Sequence, residues 1–389
     1  MTTRIFNSLA GIILCSTVIA AFTACSGDDD KYSLDALYEQ YRVIPDTFAI
    51  AIAWNGTTAT VTGETDSITV SYGTNPADVT ITSSSNRYME LTLSGATDDG
   101  SLLVYSQKAW GLILDNVTIT NNDGPAINNQ CSKWLYVKLN GENTLADGLT
   151  YASAPFNAQG DSIDQKGAFF SEGEMDFSGT GTLSVTANGR NGIACDDYVI
   201  VNEGTISVNV ASTGTNGIKV NDGMQILDGQ IDITVASLGG RGIKNDSYMT
   251  INGGQTTIKT SGDCRIETVD GIRDTTTAAG IKCDSLFTMT AGLLTITSSG
   301  DGGKGINCAD SVKFSGGQLS VTTTGKNKQG KPKGVKGEKA VVLSGGTFES
   351  TVSKSKAVDN GGEETPVIIG TPTKKVLDTR HVYVKFGSE

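Results

Sequence analysis

The sequence predicts an all-β protein: a right-handed parallel β-helix with three strands in each coil of about 25 residues and β caps at both ends. Two observations predict this fold, namely glycines that recur at a constant interval and apolar residues that alternate with polar ones between them. The composition agrees, because 48 of the 389 residues are Gly and only 7 are Pro. The glycines follow no collagen-type period, and the abundant Val, Ile and Thr favour strands.

Two glycines at a fixed offset mark each copy of the repeat. The first glycines of the seven copies are Gly167, Gly192, Gly217, Gly242, Gly280, Gly305 and Gly334. The second glycines are Gly179, Gly204, Gly229, Gly254, Gly292, Gly317 and Gly346. Between them the apolar residues have a period of two, which indicates strands rather than helices. Three short strands with glycine at the corners describe one coil of a β-helix, whereas a propeller blade needs four strands and about 40 residues.

The first 45 residues have the pattern of an export signal followed by a tether. Arg4 precedes an apolar stretch over residues 9–22, which is too short to indicate a membrane span. Small residues then lead to Cys25, and this segment resembles the lipobox of bacterial lipoproteins. The resemblance implies that residues 1–24 are a signal peptide, that Cys25 carries the lipid, and that residues 25–45 are a tether. An ordinary signal peptide with a chance Cys is the alternative.

The acidic run at residues 26–30 resembles the export tag of surface lipoproteins in Bacteroides-type bacteria. This resemblance implies an outer-membrane location, with the lipid as the anchor and the protein exposed at the cell surface. The outer membrane would then be a partner of the chain through the lipid anchor.

The repeats also set the predicted domain boundaries. Residues 111–350 are assigned to the parallel β-helix. Residues 46–110 alternate irregularly and are assigned to an N-terminal β cap, and residues 351–389 are assigned to a C-terminal cap. We expect caps because an open end of a coil is an exposed sheet edge.

The charge of the chain excludes some classes of function. The formal net charge is −12 and the sequence contains no basic run, so nucleic-acid binding through phosphate neutralisation is excluded. The sequence contains one histidine, His381, which excludes any metal site or mechanism that needs two.

Stacked coils place equivalent residues about 4.8 Å apart, so that these residues form columns along the helix axis. One outward column contains Lys219, Lys244 and Lys282, and the neighbouring outward column contains Asp246 and Asp284. Two interpretations stay open. The columns are either a solvated face of salt bridges, each of which contributes little, or a flat charged face that lines a groove for an acidic glycan.

A cluster of acidic residues at the longest coil predicts a calcium site. Asp263 and Asp301 occupy equivalent positions of consecutive copies, and the extra residues after Asp263 bring in Glu267, Asp270 and Asp274. Calcium prefers six to eight oxygen ligands and tolerates irregular geometry, and stacked carboxylates repel each other unless a cation or a proton compensates. The alternative is a polar loop with solvated acids.

Aromatic residues are candidates for stacking against sugars. Tyr198 and Tyr248 share an outward column two coils apart, which predicts a separation of about 10 Å. Ordinary packing within the column is the alternative for both. Trp54, Trp110 and Trp134 lie in the irregular N-terminal part and are expected to belong more often to the core than to a binding platform.

Three cysteines share one inward position of the repeat. Cys195, Cys283 and Cys308 each lie shortly after the first glycine of a copy, at the same offset and in line with inward-facing isoleucines. We interpret them as an interior column of small apolar thiols. A disulfide between Cys283 and Cys308 is the alternative, because coil neighbours satisfy the distance requirement.

The repeat and the segments before it resemble a known family. The coil Gly-Ile-x-x-Asp…Gly-Gly, and lead-in segments that start at Leu114, Pro125, Leu139 and Gly167, resemble secreted bacterial carbohydrate-binding proteins with a polysaccharide-lyase-like right-handed β-helix. The resemblance covers roughly residues 50–350. It implies binding of plant-type polysaccharides, including cellulose and acidic pectic chains, together with bound calcium.

The sequence departs from this family at the residue before the first glycine. Coils of the family usually begin Asp-Gly-Ile, and here the sequence Asp270-Gly271-Ile272 alone keeps the aspartate. The residues that stand in its place are Lys166, Asn191, Asn216, Arg241, Ala279 and Lys304. This departure puts the family's calcium sites in doubt at most coils.

The sequence therefore favours a surface lipoprotein that binds a cellulose- or pectin-like polysaccharide without catalysis. The columns repeat the same residue over several coils, whereas a catalytic site needs a unique constellation with shifted pKa values, so no catalytic residue is assigned. The alternatives are a calcium-dependent polysaccharide lyase with Lys244 or Lys282 as its base, a glycoside hydrolase that uses the aspartates, and a surface adhesin or structural protein.

Overall fold

The computed structural model describes residues 47–63, 66–328, 330–362 and 367–387, and within these ranges all regular structure is β-strand. The strands of the N-terminal part are β1 (Thr47–Asn55), β2 (Ala59–Gly63), β3 (Ile68–Tyr72), β4 (Asp78–Ser83), β5 (Tyr88–Thr97), β6 (Ser101–Ser106), β7 (Trp110–Thr120), β8 (Ile127–Asn129), β9 (Leu135–Asn140) and β10 (Glu142–Ala146). None of the described residues forms a helix that is long and apolar enough to cross a membrane.

The strands of the middle part are β11 (Gly167–Ser171), β12 (Met175–Ser178), β13 (Thr182–Ala187), β14 (Asn191–Cys195), β15 (Tyr198–Val201), β16 (Thr205–Val210), β17 (Ile218–Val220), β18 (Gly223–Ile226), β19 (Gln230–Val235), β20 (Arg241–Asn245), β21 (Tyr248–Ile251), β22 (Gln255–Thr260), β23 (Arg265–Val269) and β24 (Ile272–Thr276). The strands of the C-terminal part are β25 (Ala279–Cys283), β26 (Phe287–Met289), β27 (Leu293–Ser298), β28 (Lys304–Cys308), β29 (Ser311–Phe314), β30 (Gln318–Thr323), β31 (Lys333–Gly337), β32 (Ala340–Leu343), β33 (Thr347–Val352), β34 (Lys356–Asp359), β35 (Val367–Ile368), β36 (Lys374–Asp378) and β37 (His381–Lys385).

Each regular coil consists of three strands, as β14, β15 and β16 illustrate. Each of them pairs in parallel with the equivalent strand of the next coil, β17, β18 or β19, at a register offset of one repeat. The sheet built from the first strands of the coils has 12 described strands, all parallel except β3, which gives 11 coils. The predicted parallel β-helix with three strands in each coil is thereby confirmed.

The coils extend further toward both ends of the chain than the predicted boundaries. β1 already pairs in parallel with β5, and β4 pairs in parallel with β6, so residues 47–110 contribute coils rather than a separate cap. Parallel pairing also continues past residue 350, through β34 and β35. The difference arises because early strands such as β5 and β7 are long, and their glycines, Gly95 and Gly111, do not recur at the spacing by which the repeat is found.

Short antiparallel strands cover the ends of the helix. At the N-terminal end β2 pairs with β1 and β3 pairs with β4. At the C-terminal end β37 pairs with β33, and β36 pairs with β37. These strands satisfy backbone groups that would otherwise form an open edge.

The glycines of the repeat serve two different purposes, which the copy at 280–304 shows. A Cβ atom on Gly280 would lie 2.3 Å from Cγ2 of Ile296, so the first glycine leaves room for an inward side chain of the third strand. Gly292 has φ of 84°, a left-handed conformation that residues with a Cβ rarely adopt. The repeat signature thus reflects packing at one corner and backbone conformation at the next.

The inward cysteine column is buried, as predicted, and its thiols are free. The thiols also do more than fill space. Cys308 donates to the carbonyl oxygen of Ser285 at 2.6 Å, and Cys283 donates to that of Ser247 at 3.0 Å. These weak donors satisfy carbonyl groups of the preceding coil, at the corner between first and second strands.

Candidate functional site

The predicted columns of lysines and aspartates lie side by side on the outer surface of the sheet of first strands. Lys219 pairs in register with Lys244, and Lys244 pairs with Lys282. The Nζ atoms of Lys219 and Lys244 lie 3.2 and 2.6 Å from carboxylate oxygens of Asp246. Lys282 forms an ion pair with Asp284.

These pairs favour the interpretation as a salt-bridge face. Burial raises the pKa of Asp246, but the hydrogen bond from Lys244 and the charges of Lys219 and Lys244 outweigh it, and the pKa falls below its ordinary value. Lys282 likewise has Asp284 as its counter-charge. Lysines that are paired in this way offer less attraction to an anionic chain than unpaired ones would.

The predicted calcium ligands at the long coil do not form one set. Asp263 and Asp301 stack on consecutive coils as predicted, and the backbone N–H of Asp301 donates to Oδ1 of Asp263 at 2.6 Å. The N–H of Lys326 donates in turn to Oδ1 of Asp301 at 2.9 Å. Each carboxylate therefore binds the backbone of the following coil, and these donors stabilise the stacked charges.

The other three predicted ligands lie on a separate hairpin formed by β23 and β24. Glu267 is opposite Asp274 in the antiparallel register, and Asp270 is at the turn, with φ of 51°. Glu267 pairs with Arg265 at 3.2 Å. Among the described residues, no three of these five acids have ligand atoms that all lie within 4.8 Å of one another, and the extra residues of the long coil form a hairpin of their own.

A different group of acids converges, and sequence reasoning missed it. Carboxylate oxygens of Asp164, Glu172 and Asp196 all lie within 4.8 Å of one another. The ammonium group of Lys166 bridges two of them, at 2.5 Å from Asp164 and in contact with Asp196. Lys166 thus supplies the positive charge that a metal ion would bring between these two carboxylates.

Glu172 is the chemically distinctive member of this group. Burial, followed by the charges of Asp196 and Asp164, raises its pKa to about 7, while Lys166 opposes the shift. Glu172 and Asp164 line a polar cleft of about 330 Å³ together with Gln130 and other polar residues. A carboxyl group with this pKa can donate a hydrogen bond or a proton near neutrality.

Amide side chains stand where the family resemblance predicts aspartates before the first glycine. Nδ2 of Asn191 donates to the carbonyl oxygen of Lys166 at 2.5 Å, and Nδ2 of Asn216 donates to Oδ1 of Asn191 at 2.8 Å. The N–H of Arg241 then donates to Oδ1 of Asn216 at 3.1 Å. This ladder satisfies its own donors and acceptors across three coils, so neutral amides replace the stacked carboxylates there.

The two predicted tyrosines lie much closer together than the backbone spacing implies. Tyr198, Gly223 and Tyr248 are in register on three consecutive coils. The ring centroids of Tyr198 and Tyr248 are nevertheless 5.8 Å apart, with the planes tilted by 42°. The separation predicted from the coil spacing is therefore wrong for the rings, because both lean over the glycine between them. Tyr248 is 46% exposed, so the pair faces the outside.

A second aromatic group lies nearer the N-terminus, with Trp134 in the same outward column and Tyr136 two residues further along the chain. Leu135 pairs with Met175, and Met175 pairs with Val199 on the next coil. Trp134 and Tyr198, which directly precede Leu135 and Val199, therefore occupy equivalent positions two coils apart. The ring of Trp134 stacks on that of Tyr136 with a centroid distance of 6.0 Å, and Tyr136 lies 6.4 Å from Tyr88. All three rings are partly exposed.

We refer to these outward rings as the aromatic column: Tyr88, Trp134, Tyr198 and Tyr248 share one column, and Tyr136 stands beside Trp134, two residues further along the chain. Trp54 and Trp110 are buried in the core, as the sequence predicted, whereas Trp134 is not. Tyr88, Trp134 and Tyr136 could have been recognised as outward-facing from the sequence, because each of them stands next to an inward residue. That recognition needs the register of the irregular early coils, which the glycine repeat does not provide.

Two comparisons place this surface in context. The sequence model of a family described as "carbohydrate-binding domain-containing protein" matches residues 75–264 and 233–327, which together span more than half of the chain. The solved structure of a polysaccharide lyase-like protein from C. thermocellum, a gadolinium derivative, has a TM-score of 0.53 and 24% identity, over 69% of this chain and 97% of that chain.

No curated protein matches the sequence. At this level of identity the similarity to the C. thermocellum structure concerns the fold. The family match covers the coils that carry the aromatic column from Tyr88 to Tyr248. The chain belongs to the family of carbohydrate-binding domain-containing proteins.

Proposed function

We propose that the protein binds a cellulose- or pectin-like polysaccharide on the outside of its β-helix, without catalysis. The observation that carries this proposal is the aromatic column, in which partly exposed rings follow one another along the helix axis. The faces of pyranose rings carry C–H groups, so stacking them on aromatic rings removes apolar surface from water. The family match and the fold similarity support glycan binding as the general function.

Pull-down of the full chain on insoluble cellulose and on pectin gels, followed by a glycan array, tests this proposal. We expect retention on at least one polysaccharide and competition by the soluble form of the same glycan. Failure on both materials and across the array would instead favour the surface adhesin or structural protein.

We further propose that the chain is a lipoprotein of the outer membrane, anchored through Cys25 and exposed at the cell surface. This proposal rests on the sequence pattern, because residues 1–46 lie outside the described residues. The variant Cys25→Ser should leave the outer-membrane fraction, whereas Cys15→Ser, inside the preceding apolar stretch, should remain in it. Retention of Cys25→Ser in that fraction would contradict the anchor.

Lys304 favours a polysaccharide lyase as the second candidate function. A lyase needs a base, and burial lowers the pKa of Lys304 to about 8. Lys244 and Lys282, the bases that the sequence suggested, are instead engaged in ion pairs with aspartates. Incubation with polygalacturonate, with absorbance as the measure of new unsaturated ends, tests the lyase. Activity that is lost in Lys304→Met would establish it against the binding proposal.

The raised pKa of Glu172 favours a glycoside hydrolase as a further alternative, because the general acid of such an enzyme needs a raised pKa. Release of reducing ends from soluble glycans, lost in Glu172→Gln, is the corresponding test. We place binding first because the aromatic column extends over several coils, whereas Glu172 and Lys304 are single groups.

A further inference from the structure

The aromatic column has the geometry of a track for a linear chain. Trp134 and Tyr198 lie two coils apart, and Tyr198 and Tyr248 lie two coils apart again. Four steps of about 4.8 Å place the backbones of Trp134 and Tyr248 about 19 Å apart along the helix axis, and Tyr88, two coils before Trp134, extends this backbone span to about 29 Å. One step is close to the length of one pyranose unit. A ligand that uses several rings must therefore be extended and must lie parallel to the axis.

Carboxylates flank this track at its middle. Glu174 lies in the column between Trp134 and Tyr198, because Met175 pairs with both Leu135 and Val199. Asp197 and Asp222 directly precede Tyr198 and Gly223 in the sequence.

These carboxylates are close enough to repel one another electrostatically. Burial raises the pKa of Asp197, and the negative charges of Glu174, Asp222 and Asp196 raise it further, while Lys133 opposes them. The surroundings of Tyr198 thus have an excess of negative charge. A polyuronate placed there would add like charges, which costs binding energy. The hydroxyl groups of a neutral sugar can instead donate hydrogen bonds to the same carboxylates.

We propose that the aromatic column is a subsite for a neutral, extended polysaccharide with flat pyranose faces, and that Glu174, Asp197 and Asp222 select against uronate chains. This inference rests on the proposed function and narrows the substrate class of the same surface. It narrows the expectation that the protein binds a cellulose- or pectin-like polysaccharide to the neutral, cellulose-like kind.

The experiment compares cellohexaose with hexagalacturonate, two chains of equal length and different charge, by isothermal titration calorimetry on the full chain. Wild type should bind cellohexaose more tightly than hexagalacturonate. The double variant Tyr198→Ala/Tyr248→Ala should lose about tenfold in affinity for cellohexaose. Tyr248→Ala alone, at a residue that is 46% exposed, keeps the test valid if the double variant does not fold, and should lose about threefold.

The variant Asp197→Asn/Asp222→Asn tests the charge selection. It should gain about threefold in affinity for hexagalacturonate and lose at most about threefold for cellohexaose, because each Asn keeps one oxygen that accepts a hydrogen bond but carries no charge. Tyr72→Ala is the matched control, because Tyr72 is 48% exposed and lies on the antiparallel strand β3, outside the column.

The outcomes separate the two proposals. If wild type binds a glycan but the tyrosine variants keep full affinity, or if wild type prefers hexagalacturonate, this inference is overturned and the proposed function stands. If wild type binds neither oligosaccharide and no polysaccharide in the pull-down, the proposed function fails and this inference fails with it.

Discussion

The rings of Tyr198 and Tyr248 meet over Gly223, although a whole coil separates the two residues. A Cβ atom on Gly223 would lie 2.6 Å from Cε2 of Tyr198 and 3.2 Å from Cζ of Tyr248. The glycine is therefore what allows two outward tyrosines to form one continuous surface.

Gly223→Ala should separate the two rings and reduce affinity for the polysaccharide that wild type retains. We expect the affinity to fall about threefold, because both tyrosines are still present but their rings no longer form one continuous surface. Titration calorimetry measures the loss. The matched control is Gly362→Ala, where an added Cβ has no neighbour within 4 Å. Unchanged affinity in Gly223→Ala would show that the ring contact has no part in binding.

Glu172 should make stability depend on pH between about 4.5 and 7. Its folded-state pKa of about 7 lies above its ordinary value of 4.5, so the folded protein binds more protons than the unfolded chain in that window. The free energy of unfolding should therefore fall as pH rises through the window, by about 1–2 kcal/mol after allowance for solvent screening.

Urea denaturation across this pH range measures the effect. Glu172→Gln should show a flatter pH dependence and a higher free energy of unfolding than wild type above pH 7, whereas Glu203→Gln, at an exposed glutamate, should follow wild type. A wild-type curve that rises between pH 4.5 and 7, with no difference in Glu172→Gln, would contradict the raised pKa.

Calcium and a chelator should leave the thermal midpoint of the full chain unchanged. Asp263 and Asp301 already accept hydrogen bonds from backbone N–H groups, and Glu267 and Asp274 lie on a separate hairpin. These described residues therefore do not form one set of ligands, and calcium would not stabilise the folded state by binding to them. Differential scanning fluorimetry with added calcium and with EDTA makes the comparison. A midpoint that rises with calcium in wild type but not in Asp263→Asn would instead establish the site that the sequence suggested.

The two kinds of repeat glycine should respond differently to alanine. Gly280→Ala brings a Cβ to 2.3 Å from Ile296, an overpacking that we expect to cost about 1–3 kcal/mol of unfolding free energy. Gly292→Ala forces a residue with φ of 84° to carry a Cβ, which costs about 1–2 kcal/mol before its contact with Gly253 is counted.

A double variant distinguishes the mechanisms. Ile296→Ala should partly rescue Gly280→Ala, because it removes the clashing atom, and it should not rescue Gly292→Ala. Urea denaturation gives the four free energies that each cycle requires. Equal coupling free energies in both cycles would mean that Gly280 is not there to leave room for the side chain of Ile296.

The five described cysteines should resist labelling in the native protein. All of them are buried and free: Cys131, Cys195, Cys264, Cys283 and Cys308. In a Cys15→Ser/Cys25→Ser background, we expect a thiol reagent to label none of the five in native buffer and all five in guanidinium without reductant. Two missing thiols in guanidinium would reveal a disulfide between Cys283 and Cys308.

The regular coils could be predicted from the sequence because the glycines of each copy show which of its residues are equivalent to those of the other copies. Ile281 and Ile306, for example, occupy equivalent positions, and the structure pairs them directly. Once that register is known, the column of Lys219 and Lys244 follows, since the strand period fixes which residues point outward. The tyrosine ring distance did not follow, because side-chain orientation depends on the space that Gly223 leaves.

The acidic group at Glu172 could not be predicted for a different reason. Asp164 precedes the first regular copy, in a segment whose path is not set by the repeat. Its approach to Asp196, which lies on a coil, depends on Lys166 and on the segment as a whole. The five acids of the calcium prediction do not converge, because extra residues after a coil can form their own hairpin instead of folding back onto it.

The hairpin of β23 and β24 enters between two coils without shifting them. Ile243 pairs with Ile281 and Ile258 pairs with Ile296 in the same register as in the other coils, although these partners are further apart in the sequence. Insertions at this corner are therefore uncoupled from the core. Evolution or an engineer can lengthen, recharge or replace such a loop at one coil and leave the architecture of the others unchanged.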